Sequence, residues 1–276
     1  MRFAKAHGLG NDFLIVADAD VPADFGPWAR RICDRHKGVG ADGVLRYTVE
    51  APNVRMRLIN ADGGEVELSG NGVRCLAAYV HGRTWVPAAH TVLTPSGPRP
   101  VVVHSEGPSS YRVETDLGAP LLRSDQIPAA FDPARDRVVD HPLSVGGETV
   151  LVTLTSMGNP HCSAFFDAPV ADSLLLRLGP LIENHPLFPK RVNVEFVTVI
   201  RRAELRVRFW ERGVGYTQAS GTGSAGAFVA ATLKGLCDER VRVRCDGGIL
   251  ECDWPAGGSV RQTGPVEVVC EGEWLL

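Results

Sequence analysis

The chain has 276 residues, 44% of them hydrophobic and 22% charged, with a formal net charge of −3. That length suits two domains at roughly 150 residues each, and the composition is that of an ordinary globular protein. The small negative charge argues against a nucleic-acid partner, which would call for a basic face. The apolar runs fall short of the ~18 residues of a membrane span.

The stretch from Met1 to Phe13 lacks the apolar core of a signal peptide, so a cytoplasmic location is expected. The seven cysteines are odd in number and show no CxxC spacing, which speaks against both a zinc site and a disulfide framework. Most of them read as small buried hydrophobes.

Along the chain, a β-rich run at 12–17 is followed by a predicted helix from Phe25 to His36, with Phe25, Trp28, Ile32 and Cys33 on one face. Val54-Arg55-Met56-Arg57-Leu58 alternates with period two, as a strand with one buried face does. A second helix is predicted over 71–81, then strands near 100–104, 111–115, 149–155 and 192–199. Leu205-Arg206-Val207-Arg208-Phe209 alternates again; a third helix follows over 222–235, then strands near 240–245 and 266–270. The residues of the second and third helices are mostly small or apolar on every side, as expected of helices enclosed by other structure.

Those two helices expose an internal repeat. Ser-Gly-Asn-Gly at 69–72 and Ser-Gly-Thr-Gly at 220–223 lie 151 residues apart. Upstream of each stands a glycine-asparagine turn, Gly-Asn-Asp-Phe at 10–13 and Gly-Asn-Pro-His at 158–161, with the asparagines 148 residues apart. Such a nearly constant offset implies two copies of one fold related by a pseudo-twofold axis, with a boundary near Asp116-Leu117-Gly118-Ala119-Pro120.

Each repeated turn opens a helix. A helix N-terminus leaves backbone N–H groups without intrahelical partners and carries the positive end of the dipole. The two turns therefore suit an anion, a carboxylate as well as a phosphate. Ser69 and Ser220 also suit the plainer role of N-cap residues. A phosphate loop would continue with Lys-Ser/Thr after its last glycine, whereas Val73-Arg74 and Ser224-Ala225 follow here. The first turn, Gly70-Asn-Gly-Val-Arg-Cys75, lacks the full GxGxxG of a dinucleotide fold, so kinase and dehydrogenase both fit poorly.

Over nearly its whole length the chain resembles the diaminopimelate epimerase family. The matching blocks, in the family's order, are 7–13, 33–43, 60–63, 70–75, 156–162, 191–194, 211–215, 221–223 and 263–265. The resemblance implies an α+β fold of two pseudo-symmetric domains, each a curved, mostly antiparallel sheet around a central helix. Residues 1–117 with 264–276 would form one domain and 118–263 the other, the C-terminal strand returning to the first. It implies a two-base, cofactor-independent epimerase that uses neither pyridoxal phosphate nor a metal. The nominal reaction converts LL- to meso-2,6-diaminoheptanedioate on the lysine and cell-wall route. One group removes the α-proton from one face of the amino acid, and its counterpart across the cleft delivers a proton to the other. The only partner implied is the small amino-acid substrate, with no nucleic acid or membrane; a homodimer stays open.

By position, Asn11, Asn60, Asn159 and Asn193 match the family's substrate-binding asparagines, and Glu211 and Arg212 its acid–arginine pair, the arginine meeting the distal carboxylate. Gly70, Asn71, Gly221 and Thr222 match the backbone cradle for the α-carboxylate. His161 matches a histidine near the catalytic centre, so the catalytic set is Ser69, Ser220, His161 and Glu211.

The chain departs from the family at its centre, because the two catalytic cysteines fall at Ser69 and Ser220; Cys75 matches a structural cysteine. An alcohol is a far weaker acid than a thiol of pKa about 8.5, and needs a neighbouring base to act. An inactivating pair of Cys→Ser changes and a natural branch with altered chemistry both fit. Tyr216, Gln218 and Ser224 also leave the family pattern, which favours the branch. Two further readings follow: an isomerase or lyase of the same fold on another amino acid, its serines activated by His7, His161 or Glu211, and a catalytically silent homologue that binds a dicarboxylic amino acid.

Overall fold

The computed structural model describes residues 1–84, 86–255 and 258–275. Its elements begin with β1 (Arg2–Gly8), β2 (Asn11–Ala17), α1 (Phe25–Cys33), β3 (Gly43–Glu50), β4 (Asn53–Asn60), β5 (Glu65–Val66) and α2 (Gly70–Arg83). Next come β6 (Ala89–Thr94), β7 (Gly97–Ser105), β8 (Ser110–Asp116), β9 (Val138–Val145), β10 (Glu148–Ser156), β11 (Pro160–Phe165) and α3 (Asp172–Glu183). The last are β12 (Asn193–Arg201), β13 (Glu204–Glu211), β14 (Gly215–Thr217), α4 (Gly221–Leu233), β15 (Arg240–Cys245), β16 (Gly248–Asp253) and β17 (Arg261–Glu273). Two compact units result, Met1–Asp116 with Thr263–Leu276, and Leu117–Gln262.

In the first unit the strands close on themselves in the order β1-β2-β3-β4-β6-β7-β8-β17 and back to β1. The pairs β2–β3 and β4–β6 are parallel, and the hairpin pairs are antiparallel. Helix α2 lies against β1, β2, β3, β4, β7 and β8. Every residue from Gly70 to Ala78 is buried, which is why no polar stripe runs along it. Ala4, Ala6, Phe13, Leu45, Met56 and Val113 meet Val73, Leu76 and Ala77 of the helix in one core. Helix α1 covers the opposite face of the sheet with Ala29 and Ile32 on Leu14, Val16, Val44 and Ile59.

The second unit repeats the plan. Strands β9-β10-β11-β12-β13-β15-β16 pair in that order, with β11–β12 and β13–β15 parallel. They curve around α4, which is buried from Gly221 to Ala231. The crossover helix α3 packs outside, with Leu175, Leu178 and Ile182 against the β-strand core. In both units a hairpin feeds a strand that crosses over through an outer helix into a parallel neighbour, the connection that parallel pairing requires.

Helix α1 stops at Cys33, three residues before the predicted end at His36. Asp34 is the cause: its Oδ1 accepts the N–H groups of His36 and Lys37, both at 2.8 Å, drawing the backbone into a turn that competes with the helix. The chain then folds back, and Val39 and Gly40 donate to the Ile32 carbonyl. A Cβ at Gly38 would stand 2.3 Å from the Arg31 carbonyl oxygen. Helix α4 ends at Leu233, because Gly235 at φ 69° takes the left-handed conformation that ends helices.

Strands β1, β3, β5, β6, β9, β11, β14 and β16 and helix α3 lie outside the runs read from periodicity. Gly179 and Pro180 interrupt the apolar period of α3, and several of the strands are short and carry alanine or glycine. All cysteines are free thiols, buried except Cys270. No helix among the described residues is long and apolar enough to cross a membrane.

Candidate active site

In the first unit, β1 and β2 are joined by a two-residue turn, Leu9 (φ 59°) and Gly10 (φ 85°). Positive φ at both positions is the hairpin turn that matches strand twist, and it delivers Asn11 to the start of β2. The Asn11 Nδ2 donates to Asp42 Oδ2 at 2.7 Å, and its Oδ1 accepts from Asn71 Nδ2 at 3.0 Å. A carboxylate can only accept, so Asp42 settles which way the amide faces. Asp42 also accepts from the Asp12 backbone at 3.1 Å and from Arg35 at 2.8 Å.

Asp12 itself is held by Arg35 and by Lys5 at 2.9 Å. Burial pushes its pKa up, but the Arg35 and Lys5 hydrogen bonds outweigh that and leave it below the usual 3.8. Asn71 Oδ1 in turn accepts from the buried Arg74 guanidinium.

Ser69 is the N-cap of α2, its Oγ accepting the Gly72 N–H at 3.1 Å. A Cβ at Gly72 would come within 3.0 Å of Leu45, so glycine is needed there for packing as well as for access. Cys75, one turn further, is fully buried, and burial pushes its thiol up to about 12. A thiol so enclosed and so weakly acidic is inert as an acid–base group.

The second unit reproduces the cap. Ser220 Oγ accepts the Gly223 N–H at 3.2 Å, and a Cβ at Gly223 would meet Phe209 at 3.0 Å. A turn through Gly158 (φ 101°) presents Asn159, whose Nδ2 donates to Thr222 Oγ1 at 3.2 Å. The support behind it differs. Asn159 Oδ1 lies 2.9 Å from His161 Nε2, and His161 Nδ1 lies 2.7 Å from Glu195 Oε1.

Both partners of that pair are enclosed, His161 at 0% and Glu195 at 1% side-chain exposure. Burial raises the Glu195 pKa above its usual value against the opposing pull of His161 and of Ser163, which donates at 3.2 Å. The imidazole fits because position 226 of α4 is glycine: a Cβ there would lie 3.0 Å from the His161 ring. With both ring nitrogens engaged by Asn159 and Glu195, His161 holds the asparagine. His7 is occupied elsewhere, by Gly10 N–H at 3.5 Å and Glu267 at 3.6 Å.

Asn193 ties two loops together, donating to the Pro160 carbonyl at 2.8 Å and accepting the Arg212 N–H at 3.0 Å. Glu211 Oε1 accepts from Thr217 Oγ1 at 2.6 Å. The Gly221 carbonyl accepts from Gln262 at 2.8 Å. Tyr216 pairs with Trp210 across the β13–β14 hairpin, while Glu211 pairs with Gly215. Alternation along a strand therefore sends Tyr216 to the opposite face from Glu211. There its hydroxyl donates to Asp246 at 2.9 Å beneath Arg208.

Asn60 ends β4, where its backbone forms the turn with Gly63 and Gly64. The first unit thus gathers Asn11, Ser69, Gly70 and Asn71. The second gathers Asn159, His161, Ser220, Gly221 and Thr222 at one helix end, with Asn193, Glu211 and Arg212 along the adjoining loops. Among the described residues no trio of His, Cys, Asp or Glu forms a metal-binding group. Asp42, Thr217 and Glu195 were not singled out from the sequence. For Glu195 the signal was available: a lone charge inside the apolar run Val192–Val199 has to be paired.

The family model for diaminopimelate epimerase matches residues 3–122 and 153–269. A diaminopimelate epimerase of Moorella thermoacetica is 44% identical over 284 residues, covering 100% of both chains. One of Desulforudis audaxviator is 45% identical, covering 100% of this chain and 99% of the relative. Among solved structures, a hydroxyproline epimerase from Agrobacterium vitis with bound trans-4-hydroxy-L-proline superposes with a TM-score of 0.71 at 13% identity, covering 99% of this chain and 90% of that one. A phenazine biosynthesis protein of Bacillus anthracis gives 0.70 at 17% identity, covering 100% and 99%. At those identities the structures speak for the fold alone.

Proposed function

The chain belongs to the diaminopimelate epimerase family, and from that premise we propose that it is a cofactor-independent epimerase acting at the α-carbon of 2,6-diaminoheptanedioate. The observation that carries the reading is the duplicated cap: in each unit a serine Oγ accepts the third helical N–H, with an asparagine bonded to the residue two beyond it. Gly70 and Asn71 at the start of α2, and likewise Gly221 and Thr222 at the start of α4, each present backbone N–H groups and a positive dipole end suited to an α-carboxylate. The same donors meet the charge that builds up on that carboxylate as the α-proton leaves, which is where a preorganised dipole lowers a barrier most.

Ser69 and Ser220 take the two proton-transfer positions, and Asn11 and Asn159 orient the substrate beside them. Arg212 takes the distal carboxylate, with Glu211 beside it, while Asn60 and Asn193 complete the binding set. His161 acts through Asn159. A hydroxyl that accepts one N–H at a helix N-terminus is easier to ionise than a free one, yet far harder than a thiol there. Slow turnover is therefore expected.

Incubation of LL-diaminopimelate with the protein in deuterated water, followed by NMR, should show solvent deuterium entering the α-position together with meso product. Saturable binding of diaminopimelate with no exchange over days would instead favour a silent ligand-binding homologue, a reading that the serine at both cap positions supports. Absence of both binding and exchange would end the epimerase reading.

A further inference from the structure

The hairpin turn after β13 carries Arg212, and its backbone is held from outside by two side chains. One is Asn193, which accepts the Arg212 N–H at 3.0 Å. The other is Glu183, the last residue of α3, with 5% of its surface exposed. Glu183 Oε1 accepts the Gly213 N–H at 2.8 Å and Arg191 Nη1 at 3.1 Å, and its Oε2 accepts Trp210 Nε1 at 2.7 Å. Three donors converge on one buried carboxylate, and consecutive amides of the turn are captured by separate side chains.

Trp210, Gly213 and Arg191 belong to three segments: the end of β13, the turn itself, and the loop before β12, where Arg191 adopts φ 59°. The indole packs so closely over α3 that a Cβ at Gly179 would lie 2.6 Å from it. The carboxylate thus locks the helix end, the indole and the turn together.

Resting on the proposed role of Arg212 as partner of the distal carboxylate, we propose that Glu183 is a positioning residue for substrate selectivity: it fixes the 211–213 turn so that Arg212 favours an amino acid with a second carboxylate. The reason lies in hydrogen-bond inventory. A long guanidinium gains selectivity only when its backbone origin is fixed, because a mobile origin spreads the charge over many positions and raises the cost of ordering it on binding. Only an acceptor-only side chain of this length satisfies three donors. A glutamine in any orientation turns its NH₂ toward at least one N–H, so one of the three donors loses its acceptor and either the turn or the indole is released.

The test compares meso-diaminopimelate with L-lysine, which lacks the distal carboxylate, by calorimetric titration of the full chain. Arg212→Ala is measured first. If it keeps the preference for diaminopimelate, Arg212 does not meet the distal carboxylate, and the underlying reading falls together with this inference. If Arg212→Ala removes the preference, Glu183→Gln is decisive. We expect it to weaken diaminopimelate binding by about tenfold, the scale of one charge-assisted contact, with lysine affinity changed less than about twofold. Equal losses for both ligands, or none for either, overturn the proposal, since a purely structural role would not move the ratio.

The double variant Glu183→Gln with Trp210→Phe removes one of the three donors, so the amide oxygen can again accept from Gly213 and Arg191. Its preference should return to within about threefold of the parent. If Glu183→Gln alone does not fold, Glu183→Asp takes its place, since it keeps the charge but is one methylene too short to reach all three donors: a lost preference upholds the inference and a parental one overturns it.

Discussion

The two repeated asparagines make an instructive pair. Asn11 is oriented from its NH₂ side by Asp42, within a network of Asp12, Arg35 and Lys5 that is partly open to water; the Arg35 and Asp42 side chains are 53% and 32% exposed. Asn159 is supported at its oxygen by His161, backed by a carboxylate with 1% exposure. One turn motif thus recurs on two supports of opposite polarity, one solvated and one dry. The helix behind each site follows suit. Position 75 carries a buried cysteine and its counterpart 226 is glycine, because on the second side the space is taken by the imidazole. A duplicated backbone therefore preserves the placement of the amide while leaving each half to find its own partner for it.

The largest expected effect concerns what the halves share. Replacing both caps, Ser69→Cys with Ser220→Cys, should raise the α-hydrogen exchange rate on diaminopimelate by at least ~10²–10⁴-fold, the scale of one positioned acid–base group. Each single replacement should do much less, because both faces of the α-carbon need a competent group. A double variant that binds diaminopimelate with no gain in exchange would remove the caps from the mechanism.

The next effect separates the halves. Glu195→Ala strands a buried imidazole and should cost about 3–5 kcal/mol, the penalty for breaking one partner out of a buried pair. Asp42→Ala, with water able to replace some of its bonds, should cost on the order of 1–2 kcal/mol. Chemical denaturation of the two variants side by side checks the order, and comparable losses would mean that the difference in burial carries no energetic weight.

The smallest effect is the response to acid, where the signs are opposite. Asp12 has a folded pKa below its usual value, so its stabilisation is present above the unfolded value of about 3.9 and is lost as pH falls through the folded value. Glu195 has a raised folded pKa, so its contribution is present below the unfolded value of about 4.3 and is lost as pH rises through the folded one. Between about pH 6 and about pH 3, interior amides of α2 should lose hydrogen-exchange protection relative to those of α4, once intrinsic rates are corrected. Parallel loss in both helices would show that neither carboxylate governs its half.

Much of the scaffold was legible in the chain. The Ser-Gly-x-Gly signals located the starts of α2 and α4 to within a residue, because capping and the need for small residues are local requirements. Their all-round apolar character announced enclosure. The end of α1 was not legible, since Asp34 competes through a local turn that periodicity does not register. Nor was α3, where Gly179 is demanded by an indole distant in sequence.

The same division runs through the candidate site. Repetition and residue type by themselves determined the two helix N-termini, the serine caps and the asparagines beside them, because each depends on a few neighbouring residues. Only the tertiary structure decided that Asp42 orients one asparagine and His161 with Glu195 the other, that Tyr216 points away from Glu211, and that Glu183 gathers three donors onto one carboxylate. Those choices depend on which distant donors and acceptors are left without water when the sheets curve around their helices. A linear pattern does not carry that information, because the need for a partner arises only on burial.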